Sequence, residues 1–299
     1  MKRFLVSFMV IVAMVLTVSC ERTKPIPPTP EPPVSETERE PVVLMTRAIN
    51  GDFEVQDCIG VYMSNFENGS SVPLKSSGNY VDNRKYTYTG SGWTAESPLY
   101  WKDENTNADF YAYYPYASVH DATELVVEVK NDQSALADYI SSDFLWGKAE
   151  NQSPNVGTVY IMLSHVMSQA VLKIKPGAGF TEEELIDANP QVQFYSLKNQ
   201  AIFNIGTGEL SDSDGAYSLT PYKVADLEYK AIVLPQTLEE AQLVEVKINN
   251  ISYYLTRSMT FESGKQYTFT ITIQKTSGDI EIGIGSWDVV DEDFGGVVS

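Results

Sequence analysis

The sequence predicts an all-β chain made of two antiparallel β-sandwich domains with few, short helices. Three observations carry this reading. Tyr267-Thr268-Phe269-Thr270-Ile271-Thr272-Ile273 alternates apolar residues with threonine, which puts one face of a strand on a core and the other in water. Tyrosine and phenylalanine are abundant, at 18 and 12 of 299 residues, while long segments of 3.6-residue period are absent. Short strand-like runs recur between polar turns, and Lys175-Pro176-Gly177-Ala178-Gly179 is the best Pro/Gly break between two halves.

The chain opens with Met1-Lys2-Arg3 and an apolar run from Phe4 to Val18. About fifteen apolar residues is short for a membrane span, which needs roughly 20, but it fits a secretory h-region, so residues 1–19 are expected to be a signal peptide. Cys20 follows Ser19 directly, and this placement resembles the lipobox of bacterial lipoproteins, in which cleavage precedes a cysteine that is then acylated. Residues 21–41 hold seven of the chain's fifteen prolines. They read as an extended tether reaching at most roughly 65 Å at about 3.1 Å per residue.

Val42-Val43-Leu44-Met45 then reads as a short apolar strand closed by Thr46-Arg47-Ala48. Further strand candidates in the first half are Ile59 to Val61, Tyr86 to Thr89, Asp109 to Tyr116, Leu125 to Val129, Val159 to Leu163 and Ala170 to Ile174. Cys58 begins an apolar run and is expected to be a small buried hydrophobe. In the second half Thr181-Glu182-Glu183-Glu184 has capping-box spacing and opens a short helix that ends before Pro190. Strands are expected at Gln191 to Phe194, Ala231 to Leu234, Leu243 to Ile248 and Tyr267 to Ile273, with a last alternating run at Ile280, Ile282 and Ile284 before Trp287.

The formal net charge is −19. Loss of residues 1–19 removes Lys2 and Arg3, leaving 19 of the 21 basic side chains against 40 acidic ones, or about −21. That charge opposes nucleic acid and anionic bilayers as partners. The strong nucleotide, hydrolase and zinc motifs are missing. Of the two histidines, His120 falls in an expected turn, and His165 continues the strand pattern of Val159, Ile161 and Leu163 as a packed histidine. Asp212-Ser213-Asp214-Gly215 lacks the later glutamate of a calcium loop and reads as a β-turn. The tyrosines from Tyr111 to Tyr116 offer rings for a sugar, although alternation favours the core. No catalytic residue, metal site or cofactor is expected.

Several segments together resemble the fimbrillin-like family, subunits of type V pili that derive from lipoproteins. The parallels are Cys20, Thr46-Arg47-Ala48, Ile59-Gly60-Val61-Tyr62, Phe110 to Tyr116, Asp132-Gln133-Ser134 and Asp143-Phe144-Leu145-Trp146-Gly147. Later come Leu163-Ser164-His165, Ala231 to Thr237 and Gly264 to Phe269.

The resemblance implies two transthyretin-like β-sandwich domains, at 48–176 and 177–299, behind a leader of residues 20–47 that is removed on maturation. It implies an outer-membrane lipoprotein held through Cys20, cut between Arg47 and Ala48 by an arginine-specific surface protease, and incorporated into a cell-surface fimbrium with other pilus subunits. Val42, Val43, Leu44 and Met45 would be the displaced strand. Ile280, Ile282, Ile284 and Trp287 would be the donor, or else the last strand of their own domain. Their burial would contribute roughly 6–10 kcal/mol gross, at about 1.5–3 kcal/mol per large side chain. A contact of this head-to-tail kind yields a filament. The alternative is a non-polymerising surface lipoprotein that binds glycan or host protein.

Overall fold

The computed structural model describes residues 41–48, 53–119, 121–215, 217–274 and 278–286. From the N-terminal side the chain forms β1 (Val43–Ala48), β2 (Cys58–Asn65), β3 (Val81–Tyr88), β4 (Trp93–Ala95), β5 (Ala108–Tyr114) and β6 (Leu125–Glu128). Helix α1 (Leu136–Ser141) precedes β7 (Leu145–Gln152), β8 (Thr158–His165) and β9 (Ser168–Pro176). After helix α2 (Glu182–Asp187) come β10 (Gln191–Leu197), β11 (Gln200–Asn204), β12 (Glu209–Asp214), β13 (Tyr217–Leu219), β14 (Tyr222–Ala225) and β15 (Glu228–Val233). A long hairpin of β16 (Gln236–Ile248) and β17 (Ile251–Phe261) leads to β18 (Lys265–Ile273) and β19 (Gly278–Ser286). The protein is thus mostly β, with two short α-helices and one 3-10 turn (Pro154–Val156) among the described residues.

Seven strands form one sheet in the order β1-β8-β7-β5-β2-β3-β4. Strands β2 and β5 are buried on both faces, and the two-residue period of a strand sends alternate side chains into different cores. Ile59, Val61 and Met63 of β2 join Phe110, Ala112, Val159, Ile161 and Leu163 in one cluster. Tyr62, Tyr111 and Tyr113 from the same strands join Phe144, Phe203 and much of the second half in the other. A strand wet on one side alternates apolar and polar residues. A strand buried on both sides need not, which is why β2 reads as an unbroken apolar run.

The remaining strands form a five-stranded sheet, β14-β15-β9-β18-β19, a four-stranded sheet, β13-β10-β16-β17, and a three-stranded sheet, β12-β11-β6. Strands β6 and β9 precede residue 177 but hydrogen-bond with strands that follow it. Two ladders, β1 with β8 and β9 with β18, are parallel within an otherwise antiparallel set. Long intervening segments permit this, because parallel partners need a crossover and not a tight hairpin. Gln133 is fully buried and replaces a strand at one point. Its amide nitrogen donates to the Ile232 carbonyl at 2.9 Å, and its amide oxygen accepts from the Ile232 N–H at 2.8 Å.

Several expectations acquire a definite place. The capping box is present: Thr181 Oγ1 accepts from Glu184 N–H, and the Glu184 carboxylate accepts from Thr181 N–H. Other residues differ from their expected setting. Cys58 is only half-buried at the start of β2, with Sγ 3.3 Å from the Gln56 carbonyl, because it stands at the sheet's rim. Asp212-Ser213-Asp214 continues β12, paired with β11, and Gly215 follows at φ 75°. Tyr111 and Tyr113, by contrast, are buried as their alternation favours, so they offer no open face to a sugar. Their phenol pKa values are pushed up, chiefly by burial, which keeps this interior uncharged.

Candidate functional site at the sheet edges

The residues marked by sequence lie on two terminal edge strands. Strand β1 is the outermost strand of the seven-stranded sheet and runs parallel to β8, with Val43 beside Thr158 and Ala48 beside Leu163. Alternation seats it: Val42 and Leu44 are buried with Leu99, Val159 and Ile161, while Val43 and Met45 are exposed. At about 1.5–3 kcal/mol for each fully buried aliphatic side chain, this pair contributes roughly 3–6 kcal/mol. Just before β1, Val42 N–H donates to the Leu99 carbonyl at 2.7 Å, and Pro41 bridges to Tyr100. The strand continues through Thr46, Arg47 and Ala48, the residues expected to close it.

The seat is imperfect. Thr46 Oγ1 is buried without a hydrogen-bond partner, and such an orphaned group costs about 1–3 kcal/mol. The neighbour β8 pairs on its other side with β7 at Leu145 to His165 and Trp146 to Ser164. Vacating β1 would therefore leave β8 with a row of unpaired backbone groups, the kind of edge that accepts an added strand. The outer face beside β1 is also apolar, with Tyr160 69% exposed and Met162 half exposed.

The second edge belongs to β19, which closes the five-stranded sheet against β18. Nine antiparallel positions pair, with Ile280 opposite Ile271, Ile282 opposite Phe269 and Ile284 opposite Tyr267. The donor candidates are therefore in their own sheet, and the structure does not bring them to β1. Cys20, His120 and Trp287 lie outside the described residues.

His165 stands at the end of β8, with Nδ1 2.8 Å from Asp143 Oδ2. Val166 N–H donates to the Phe144 carbonyl beside it, so the pair fastens the end of β8 to the turn before β7. Sequence reasoning placed the histidine and missed its carboxylate. The signal was the recurrence of both residues inside the two motifs Asp143 to Gly147 and Leu163 to His165. Among the described residues no group of three or more His, Cys, Asp or Glu side chains is placed to hold a metal ion.

A family model described as fimbrillin-like matches residues 46–287, from within β1 to just beyond β19. The chain belongs to the fimbrillin-like family. It is similar to a Bacteroides uniformis protein provisionally named fimbrium subunit Fim1C, 26% identical over 265 residues and covering 81% of each chain. Fimbrium subunit Fim1C of Phocaeicola vulgatus is 25% identical over 186 residues, 54% of this chain and 48% of that one. A solved Bacteroides uniformis structure, provisionally described as a cell adhesion protein, matches with TM-score 0.69 at 23% identity, over 83% of this chain and 99% of that one. This last likeness speaks to the fold. Membership makes the fimbrillin-like chain a surface protein of the fimbrial kind and not an enzyme.

Proposed function

We propose that this fimbrillin-like chain is a structural or accessory subunit of a cell-surface type V pilus and supports adhesion by polymerising. It is exported as an outer-membrane lipoprotein anchored through Cys20, and an arginine-specific surface protease cuts between Arg47 and Ala48. The segment from Val42 to Arg47, which holds the displaced strand Val42 to Met45 and all of β1 except Ala48, then leaves. The tail of another subunit, Ile280 to Trp287, takes its place. The body is read as two transthyretin-like sandwiches along 48–176 and 177–299, with β6 and β9 pairing across that division. Its partners are other pilus subunits, the membrane through the lipid, and the protease.

The observation that carries this reading is the character of β1. It is short, lies at an edge, is seated by buried Leu44 and by Val42 just before it, has an orphaned hydroxyl at Thr46, and carries the Arg47–Ala48 bond at its last step. A short edge strand of this kind can be exchanged for one with more apolar side chains. The experiment is digestion of the purified chain with an arginine-specific protease, comparing the native protein with Arg47→Ala. The native chain is expected to lose its leader and run as a ladder of oligomers, while R47A stays uncut at this bond and monomeric. A cut native chain that remains monomeric would sink strand exchange.

A further inference from the structure

The geometry points to a saccharide-binding cleft at the end of the seven-stranded sheet where β2 and β7 finish and β5 begins. An open cleft of about 600 Å³ lies there, walled by the turn at Phe66 to Gly69, the loop from Lys102 to Asn107, and Asn151. That volume falls within the usual range for small-ligand sites, about 300–1,000 Å³. Strand exchange at β1 is not needed for this assignment, which concerns what the folded subunit touches and not how it polymerises.

The walls are built in advance. Asp109 is almost fully buried, and its carboxylate accepts from Ser71 Oγ on one side and from Asn151 N–H, at 2.7 Å, on the other. One buried acid thus fastens the segment after the first turn to the bulge that presents Asn151. Glu67 and Ser70 exchange two backbone hydrogen bonds at 2.9 and 3.0 Å, with Asn68 and Gly69 at positive φ between them. Asp103 gathers the third wall by accepting from Asn105 N–H, Thr106 N–H and Thr106 Oγ1. Asn107 Nδ2 then donates to Asn151 Oδ1 at 2.7 Å and joins two walls directly. Rigid walls reduce the ordering cost of binding.

The chemistry of the lining selects the ligand class. Four carboxamides, from Asn68, Asn105, Asn107 and Asn151, line the cleft with one carboxylate, one ammonium and a partly exposed Phe66 ring. Each amide presents an acceptor and a two-proton donor side by side, which matches neighbouring hydroxyls that also donate and accept. The Asn68, Lys102 and Asn105 side chains make no hydrogen bond to other described residues and remain available. An apolar ligand would leave these groups unpaired on desolvation. An anion would gain Lys102 but also meet Glu67, within a chain of net charge −19. A neutral sugar unit satisfies the amides and can lay its C–H face on Phe66.

Saturation-transfer NMR on the purified intact chain tests this with N-acetylglucosamine, methyl β-galactoside, methyl α-mannoside and maltose as neutral probes, and N-acetylneuraminic acid as a charged one. At least one neutral sugar is expected to receive magnetisation, and the charged sugar to receive none. Asn105→Trp, which fills the cleft from an exposed loop, should weaken the neutral signal roughly tenfold, the loss expected when one or two hydrogen bonds are excluded. Asn68→Ala should weaken it less, with unfolding temperatures unchanged in both variants. Silence from all four neutral sugars, binding of the charged sugar alone, or a signal that survives N105W in a folded chain overturns the assignment. Because uncut monomer is used, a failed ladder after proteolysis and a failed sugar signal remain separate results.

Discussion

Strands β1 and β19 each close a sheet at its edge, yet they are held differently. β1 is paired in parallel with β8 at six positions, and two buried side chains anchor it. β19 is paired antiparallel with β18 at nine positions. Parallel pairing is slightly weaker per residue, so for equal side chains β1 is the easier strand to remove. An exchange mechanism needs a weak leaving strand and a strong entering one, and the two edges differ in that direction. For equal side chains, releasing β19 from its nine-position ladder would cost more than releasing β1 from its six, and in an exchange the seat beside β8 would have to offset the difference.

The comparison breaks most severely if β19 is removed. A chain lacking residues 278–299 is expected to stay folded, with a cooperative melt and strand circular dichroism, but to give no oligomers after proteolysis. A truncated chain that cannot fold would make β19 an obligate part of its own sheet and exclude it as a donor.

A smaller effect sharpens the other side. Leu44→Asp puts a carboxylate at a buried position of β1 with no partner provided, at a cost on the order of 3 kcal/mol. For a body of this size that lowers the melting temperature by roughly 6–12 °C. Only the uncut chain should show the loss, because cleavage at Arg47 removes the residue. An unchanged melting temperature in differential scanning calorimetry would mean that β1 adds little to the body it covers.

The smallest expected effect sets a baseline in the four-stranded sheet. The Glu245 carboxylate accepts hydrogen bonds from Ser252, Tyr195 and Tyr254, in that order of influence, and these hold its pKa below the usual carboxylate value. A depressed folded-state pKa contributes stability above the unfolded value of about 4.3, and this is lost as pH falls through the folded value. Glu245→Gln should therefore lower the melting temperature slightly at pH 7 and leave it unchanged near pH 2, with no effect on oligomer ladders. A pH-independent difference would show that packing, and not charge, carries the interaction.

Local pattern made part of this molecule legible. The threonine alternation became β18, the capping box became α2, and the Val42 to Met45 run became the edge strand β1. Long-range pairing was not legible, because periodicity reports which face is buried and not which strand lies alongside. The parallel ladders, the Gln133 amide closed on Ile232, and Asp109 tying two loops all join residues distant in sequence. Asp109 was visible only as the polar start of an aromatic strand. At the edges, sequence located both candidate strands but could not say that β19 lies in its own sheet. That depends on the register with Tyr267, Phe269 and Ile271.

The hydrogen bond from Val42 N–H to the Leu99 carbonyl joins the residue just before β1 to the segment that runs into Lys102. An incoming strand without an amide at that position would leave the carbonyl bare and slacken one wall of the cleft. A strand that supplied the amide would keep the wall taut. If β1 is exchanged as proposed, fibre building and ligand contact would share one small hinge point, and a free subunit and an incorporated one would differ in grip while their sequences stay the same.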